Sequence, residues 1–183
     1  MIGDQSDTLG LLDGGLSNGE ELLGSIGVPS SATYRLAAID RRGHGRTADT
    51  SELLHHRLMA DETIVLQEHL SVGPTSLLGW SDGGNVGLLV AMQRPDLVSR
   101  LVLVELPSRR FAGARDGSRR TGSGDAGSEY AARSPDGAEH FGLTVEKTPT
   151  MFATESTLTE KDLASVKHSD PSARRRAAAE QPT

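Results

Sequence analysis

Apolar and polar positions between residues 8 and 105 alternate between strand-like and helix-like patterns. Short apolar runs predict four buried strands, at 8–12, 34–39, 76–78 and 101–104. Stretches with helical spacing lie between them, at 17–23, 59–70 and 85–93, and Ser17 or Asn18 could cap the first. Because strands separated by helices of this length are joined by right-handed crossovers, the pattern predicts an α/β fold with a parallel sheet and flanking helices. The expected strand order is 34–39, 8–12, 76–78, 101–104.

The amino-acid composition of the chain changes after Pro107. Residues 108–128 are rich in Gly, Arg and Ser and nearly free of apolar residues, which predicts a poorly ordered segment. Residues 167–183 show neither a strand pattern nor an apolar face. These two stretches are therefore expected to be a mobile linker and a disordered tail.

Two helix-start signals lie between these stretches. Ser134 followed by Pro135 is typical of a cap and first helical position, and Thr157 with Glu160 fits a capping box. The region is therefore expected to be a helical, cap-like segment. The predicted organisation is a partial core at 1–106, a linker at 107–129, the helical segment at 130–166 and the tail at 167–183.

The composition of the chain excludes several classes of function. With 19 Lys+Arg against 25 Asp+Glu the net charge is −6, which is a poor match for a phosphate backbone, so no nucleic-acid partner is expected. The absence of cysteine excludes disulfides, thiolate metal sites and a cysteine nucleophile. The sequence has neither a signal-like start nor the ~20-residue apolar run of a membrane helix. The expectation is a cytoplasmic protein without a membrane partner.

The segment Gly79-Trp80-Ser81-Asp82-Gly83 has the Gly-x-Ser-x-Gly pattern of a nucleophile elbow. An apolar strand precedes it and an apolar-faced helix follows, which is the context that this turn requires. Ser81 is therefore the candidate nucleophile, and the N–H of Asp82 is a candidate oxyanion donor. The alternative is a turn serine before a helix. A second oxyanion donor is expected from the N–H of Gly15, for which a simple Gly-Gly turn is the alternative.

A serine nucleophile needs a base, and the base needs an orienting acid. His140 and His168 are the first candidates for the base. Glu105 follows the fourth strand and is the candidate acid, although a solvent-facing carboxylate is the plainer interpretation. A surface role is the plainer interpretation of every histidine in the chain, including His44 in its glycine-flanked loop and His56 on the expected solvent face of a helix.

These motifs together resemble the α/β-hydrolase superfamily. The matching pieces lie at 11–15, 38–45, 79–85 and 94–98, and the Gly-Trp-Ser-Asp-Gly-Gly version of the elbow is similar to valacyclovir-hydrolase-type and enol-lactonase-like enzymes. The resemblance implies hydrolysis of a small ester or lactone substrate without a metal ion or an organic cofactor. It also implies that the helical segment covers the site as a cap.

The sequence departs from that family in three places. It shows fewer strands, it has Asp13-Gly14 where the family usually has His-Gly, and the family's acid and histidine would follow two further strands. The first hypothesis is therefore a truncated, weakly active serine hydrolase. A non-catalytic remnant that binds small molecules, or self-associates through exposed sheet edges, is the second. A reading frame that does not fold stably is the third.

Overall fold

The computed structural model describes residues 7–104, 126–154 and 160–166, and a four-stranded parallel sheet is its centre. The strands run in the order β2-β1-β3-β4, which confirms the predicted topology. Their bounds are β1 Thr8–Leu12, β2 Arg35–Ile39, β3 Thr75–Trp80 and β4 Val98–Val104. The central strand β1 is buried along its whole length, as a strand covered on both faces must be.

Helices cover both faces of the sheet, and each of the three helices predicted between the strands begins or ends away from its predicted position. The helices are α1 Gly19–Ser31, α2 His56–Leu70, α3 Asp82–Gln93, α4 Ala126–Arg133, α5 Phe141–Thr154 and α6 Glu160–Ser165, with a 3₁₀ turn at Ala138–His140. Asn18 caps α1 by accepting the N–H of Glu21 at 3.0 Å. This helix runs past residue 23, through Gly24 and Gly27, because its apolar side continues to Ile26 against the sheet.

The two faces of the sheet bury separate apolar clusters. Leu9 and Leu11 of β1 pack with Leu22 and Leu36 under α1. The intervening side chains point the other way, since strand residues alternate between faces. Leu12 and ten other buried residues, most of them from α2, α3 and β3, form the larger cluster on that face. The α2 and α3 helices are therefore held directly beneath the strand that leads to Ser81.

The helices after β4 pack on this core. Met151 of α5 is 1% exposed and belongs to the larger apolar cluster. Asp49, in the loop after β2, accepts bonds from Lys147 at 2.6 Å and pairs with His140 at 2.9 Å. The N–H of Asp49 also donates to the Asp136 carboxylate at 2.7 Å. The segment from α4 to α5 is thus fastened to the core by both apolar and polar contacts.

Two expectations for this region need correction. Ser134 and Pro135 do not begin a helix: they follow α4, and the Ser134 hydroxyl accepts the N–H of Asp136 in a local turn. Residues 126–129 are helical, whereas they were expected to belong to the linker at 107–129. The rest of the expected poorly ordered stretch, the Thr157 cap and the 167–183 tail lie outside the described residues. Within the described helices, none is long and apolar enough to cross a membrane.

Candidate active site

Ser81 lies at the turn between β3 and α3, as the elbow pattern predicts. Its φ of 49° and ψ of −113° are strained for a residue with a side chain. The turn is held by a bond from the Ser81 N–H to the Val104 carbonyl at 2.7 Å and by one from the Gly84 N–H to the Ser81 carbonyl at 2.9 Å. Ser81 is half-buried at the carboxyl end of the sheet, where parallel sheets carry their sites.

The motif glycines are required by close backbone packing. A Cβ atom on Gly79 would collide with the carbonyl oxygen of Gly83 and lie 2.6 Å from the Cα of Gly84. A Cβ atom on Gly83 would collide with the carbonyl oxygens of Leu12 and Asp13. The glycines therefore allow α3 to start immediately against β3 and β1.

The loop after β1 lies beside the elbow. A Cβ atom on Gly14 would be 3.7 Å from the Cβ of Ser81, and one on Gly15 would be 3.9 Å from the Cβ of Asp82. The next residue, Leu16, has a φ of 60°. Its N–H donates to Nε2 of His44 at 3.2 Å. The N–H groups of Gly15 and Asp82 have no hydrogen-bond acceptor among the described residues.

His44 is part of the support for this loop and not a surface histidine. It is 2% exposed, and its Nδ1 lies 2.8 Å from the Arg42 carbonyl. Because Nε2 accepts the Leu16 N–H, Nδ1 is the nitrogen that donates, to the Arg42 carbonyl. The surface interpretation was wrong because the ring is covered by contacts from a distant loop, 28 positions away in the sequence.

A buried charged network lies under the site, and sequence reasoning missed it. Arg41 donates to the Asp13 carboxylate at 2.9 Å and to the Asp82 carboxylate at 2.7 Å. Its other terminal nitrogen donates to the carbonyl oxygens of Asp13 at 2.8 Å and Gly14 at 3.1 Å. Nε2 of His56 bonds to the second oxygen of Asp82. The side chains of Arg41, Asp13 and Asp82 are almost inaccessible to solvent.

The network changes the ionisation of its members. Burial opposes the charged form of Asp82, but the Arg41 charge and the bond from His56 outweigh burial and hold the pKa of the carboxyl below its usual range. Burial likewise acts to lower the pKa of Arg41, and the Asp13 and Asp82 charges outweigh it and raise that pKa. The Arg41–Asp82 ion pair is therefore present throughout the neutral range.

The structure brings none of the described histidines to Ser81. The expectation of a solvent-facing His56 was wrong: it is 5% exposed, and its ring lies 5.7 Å from that of Phe152 in α5. His140 pairs with Asp49, whose pKa is lowered by Lys147 and His140 despite the opposing effect of burial. Within the described residues, the Ser81 hydroxyl has no hydrogen bond to a histidine. His168 and Glu105 lie outside those residues.

The α5 helix covers the glycine loop after β1. The methyl group of Thr148 lies 3.9 Å from where a Cβ of Gly15 would be. Met151 and Phe152, one turn further on, reach the apolar core and the His56 ring. Among the described residues, no group of three or more metal-binding side chains could hold an ion.

The parallel sheet, with a strained serine between strand and helix and a glycine loop from the neighbouring strand beside it, defines an α/β protein with a strand–turn–helix elbow. The chain belongs to the alpha/beta hydrolase fold family, whose pattern matches residues 11–179.

Several relatives have been described. A putative esterase/lipase of Haemophilus influenzae is 30% identical over 99 residues, which is 54% of this chain and 34% of that protein. The sn-1-specific diacylglycerol lipase ABHD11 of Danio rerio is 35% identical over 72 residues, 39% of this chain and 22% of that protein. The crystal structure of the N-acyl homoserine lactonase AidH with N-butanoyl homoserine matches 61% of this chain and 42% of its own, with a TM-score of 0.54 and 22% identity. The chain spans about a third or less of the two curated relatives.

Proposed function

We propose that this chain is a serine hydrolase that acts on ester or lactone bonds, with Ser81 as its nucleophile. The observation that carries the proposal is the strained Ser81 at the head of α3, directly beside the Gly14–Gly15 loop. In the expected reaction the Ser81 oxygen attacks the carbonyl carbon and its proton passes to a base. The tetrahedral oxyanion then collapses, the leaving alcohol takes the proton, and water hydrolyses the acyl-serine.

The oxyanion is expected to bind the N–H groups of Gly15 and Asp82. Neither group has an acceptor among the described residues, and the two segments that carry them are adjacent. Asp82 is also the first residue of α3, so the positive end of the helix dipole favours negative charge there. This arrangement supports stabilisation of the charge that develops in acyl transfer.

The substrate class rests on the relatives. Those reported above are named for esterase, lipase and lactonase activities, all of which cleave a carbonyl–oxygen bond. A half-buried serine beneath a cap helix fits a small ester better than a polymer, because α5 lies over the glycine loop after β1.

We expect the activity to be weak. A serine without a base is a poor nucleophile, and the Ser81 hydroxyl has no histidine partner in the part of the chain that the structure describes. The oxyanion hole and binding alone leave on the order of 10³–10⁴-fold catalysis over water in the best-studied serine protease. His140 and His168 are the first histidines to test as a base.

The test compares hydrolysis of a p-nitrophenyl ester and labelling by a fluorophosphonate in the chain and in Ser81→Ala. We expect slow turnover and slow labelling that both disappear in Ser81→Ala and persist in Ser25→Ala, an exposed serine of α1. Loss of turnover in His168→Gln, or in His140→Gln with unchanged hydrogen exchange in α5, would identify the base. Equal, negligible rates in the chain and in Ser81→Ala would overturn the proposal.

That last outcome would favour a non-catalytic binding module. The observation behind this second candidate is the Ser81 hydroxyl without a histidine partner among the described residues. Such a module would bind a small ester without turnover, or a second copy through β2 or β4, the edge strands of the described sheet. Saturable binding of an ester analogue without turnover, or dimers in sedimentation, would support it.

A further inference from the structure

One side chain contacts both segments that carry the expected oxyanion donors. Arg41 donates to the carboxylate of Asp13 and to the carbonyl oxygens of Asp13 and Gly14, on the residues directly before Gly15. It also donates to the carboxylate of Asp82, the residue directly after Ser81. The N–H groups of the guanidinium thus bind the loop after β1 and the start of α3 at the same time.

We propose that Arg41 is a positioning residue that holds the Gly15 and Asp82 amide groups at the spacing needed to bind one oxyanion. The inference rests on the proposed hydrolase function of Ser81. Oxyanion donors stabilise the transition state only when both lie within hydrogen-bond reach of one oxygen atom, and small displacements of such groups are costly. Arg41 supplies a direct side-chain connection between the two segments. His44 bonds to Leu16 on the other side of the same loop.

Arg41 has a second effect, on the electrostatic potential at the site. The Asp82 carboxylate belongs to the residue whose N–H is an expected oxyanion donor. An unpaired carboxylate so close to a developing oxyanion would oppose its formation, because like charges repel strongly in a buried site. Arg41, which also pairs with Asp13, offsets part of this charge at 2.7 Å, and His56 bonds to the other oxygen of the Asp82 carboxylate. The elbow therefore carries an acidic residue whose carboxylate is hydrogen-bonded on both oxygens, which weakens its repulsion of the oxyanion.

Arg41→Lys is the informative variant. Lysine keeps the buried positive charge, but as a single point it cannot bond both carboxylates and two carbonyl oxygens in the same geometry. Arg42→Lys is the matched control, because Arg42 is the next residue and its partners, Glu52 and Glu62, lie outside the network.

Hydrogen exchange of the full chain tests the positioning directly. In Arg41→Lys we expect the amides of 13–17 and 81–85 to exchange at least tenfold faster, with the rest of the sheet unchanged, and no change in Arg42→Lys. Unchanged exchange in the two segments, or equal acceleration throughout the core, would overturn the proposal. If Arg41→Lys does not fold, Asp82→Asn cuts the same connection at the elbow and must give the same local pattern.

Kinetics separate positioning from general destabilisation. We expect the fluorophosphonate labelling rate and kcat to fall about 100-fold in Arg41→Lys, with little change in KM, as for loss of an interaction made only in the transition state. In Arg41→Ala, millimolar guanidinium should restore labelling and methylammonium should not. A rise in KM alone, or failure of guanidinium rescue, would overturn the inference. If the unmodified chain never labels, the hydrolase proposal fails, and hydrogen exchange still decides whether Arg41 holds the two segments.

Discussion

Nη1 of Arg41 lies 2.7 Å from Oδ2 of Asp82, although 41 positions separate the two residues and both side chains are buried. Removing one partner of such a pair leaves an uncompensated buried charge, which costs more than the pair itself contributes. The ion pair connects the loop after β2 to the start of α3. It therefore has consequences for stability as well as for the site.

We expect Asp82→Asn to lower the free energy of unfolding by about 3 kcal/mol at pH 7, since it removes one partner of a buried ion pair. Because the folded pKa of Asp82 lies below its unfolded value, its stabilising contribution is present above an unfolded pKa of about 3.9 and is lost as the pH falls further. The difference between the chain and the variant should therefore shrink below about pH 4. Urea unfolding from pH 7 to pH 3 measures it, and a difference that grows on acidification would contradict the assignment.

Gly79→Ala should destabilise the fold severely, by at least about 3 kcal/mol, because its Cβ would meet the Gly83 backbone, which has no flexible end to move aside. Gly24→Ala is the matched control. That glycine is exposed within α1 with nothing near its Cβ position, so alanine should be stabilising by about 0.5–1 kcal/mol. Thermal unfolding followed by circular dichroism compares them. Equal, small shifts in the two variants would refute the packing of the elbow.

Met151→Ala should cost about 2–5 kcal/mol, because the side chain is buried in the main apolar cluster. Leu143→Ala on the same helix serves as the control: Leu143 is 52% exposed, and its loss should change stability by no more than about 0.5 kcal/mol. Denaturant titration gives both values. Similar losses in the two variants would mean that α5 does not pack on the core through Met151.

Asp49→Asn should loosen α5, since the neutral amide pairs more weakly with Lys147 and His140. We expect faster hydrogen exchange in 138–154 and little change in β1 and β3. Asp96→Asn should leave exchange unchanged, because the Arg94–Asp96 pair is largely exposed and such pairs contribute about 0–1 kcal/mol. Identical exchange in Asp49→Asn and the unsubstituted chain would show that the Asp49 contacts do not hold the helix.

Local chemistry explains why the sheet and the elbow could be predicted from the sequence. Each buried strand is a short apolar run, and parallel strands with intervening helices leave few ways to connect them. The elbow can be predicted from the sequence because its glycines are required by close backbone packing, and the whole motif spans only five residues. Both signals lie within a short window of the chain.

The buried network could not be predicted from the sequence, because its members lie far apart in the chain. Arg41 and His56 look like ordinary polar residues, and their burial depends on Asp82, which is distant in the sequence. The predicted end of α1 was wrong for a similar reason. Packing of Ile26 on the sheet stabilises the helix beyond residue 23, despite the low helix propensity of its two glycines.

By itself, then, the sequence determined the class of fold, the order of the four strands and the place of Ser81, because these follow from local pattern and backbone sterics. Only the tertiary structure decided which charged groups are buried, where His44, His56 and His140 find their partners, and how α5 lies over the site. Those outcomes depend on desolvation and hydrogen bonding between segments far apart in the chain, and no window of sequence contains both partners.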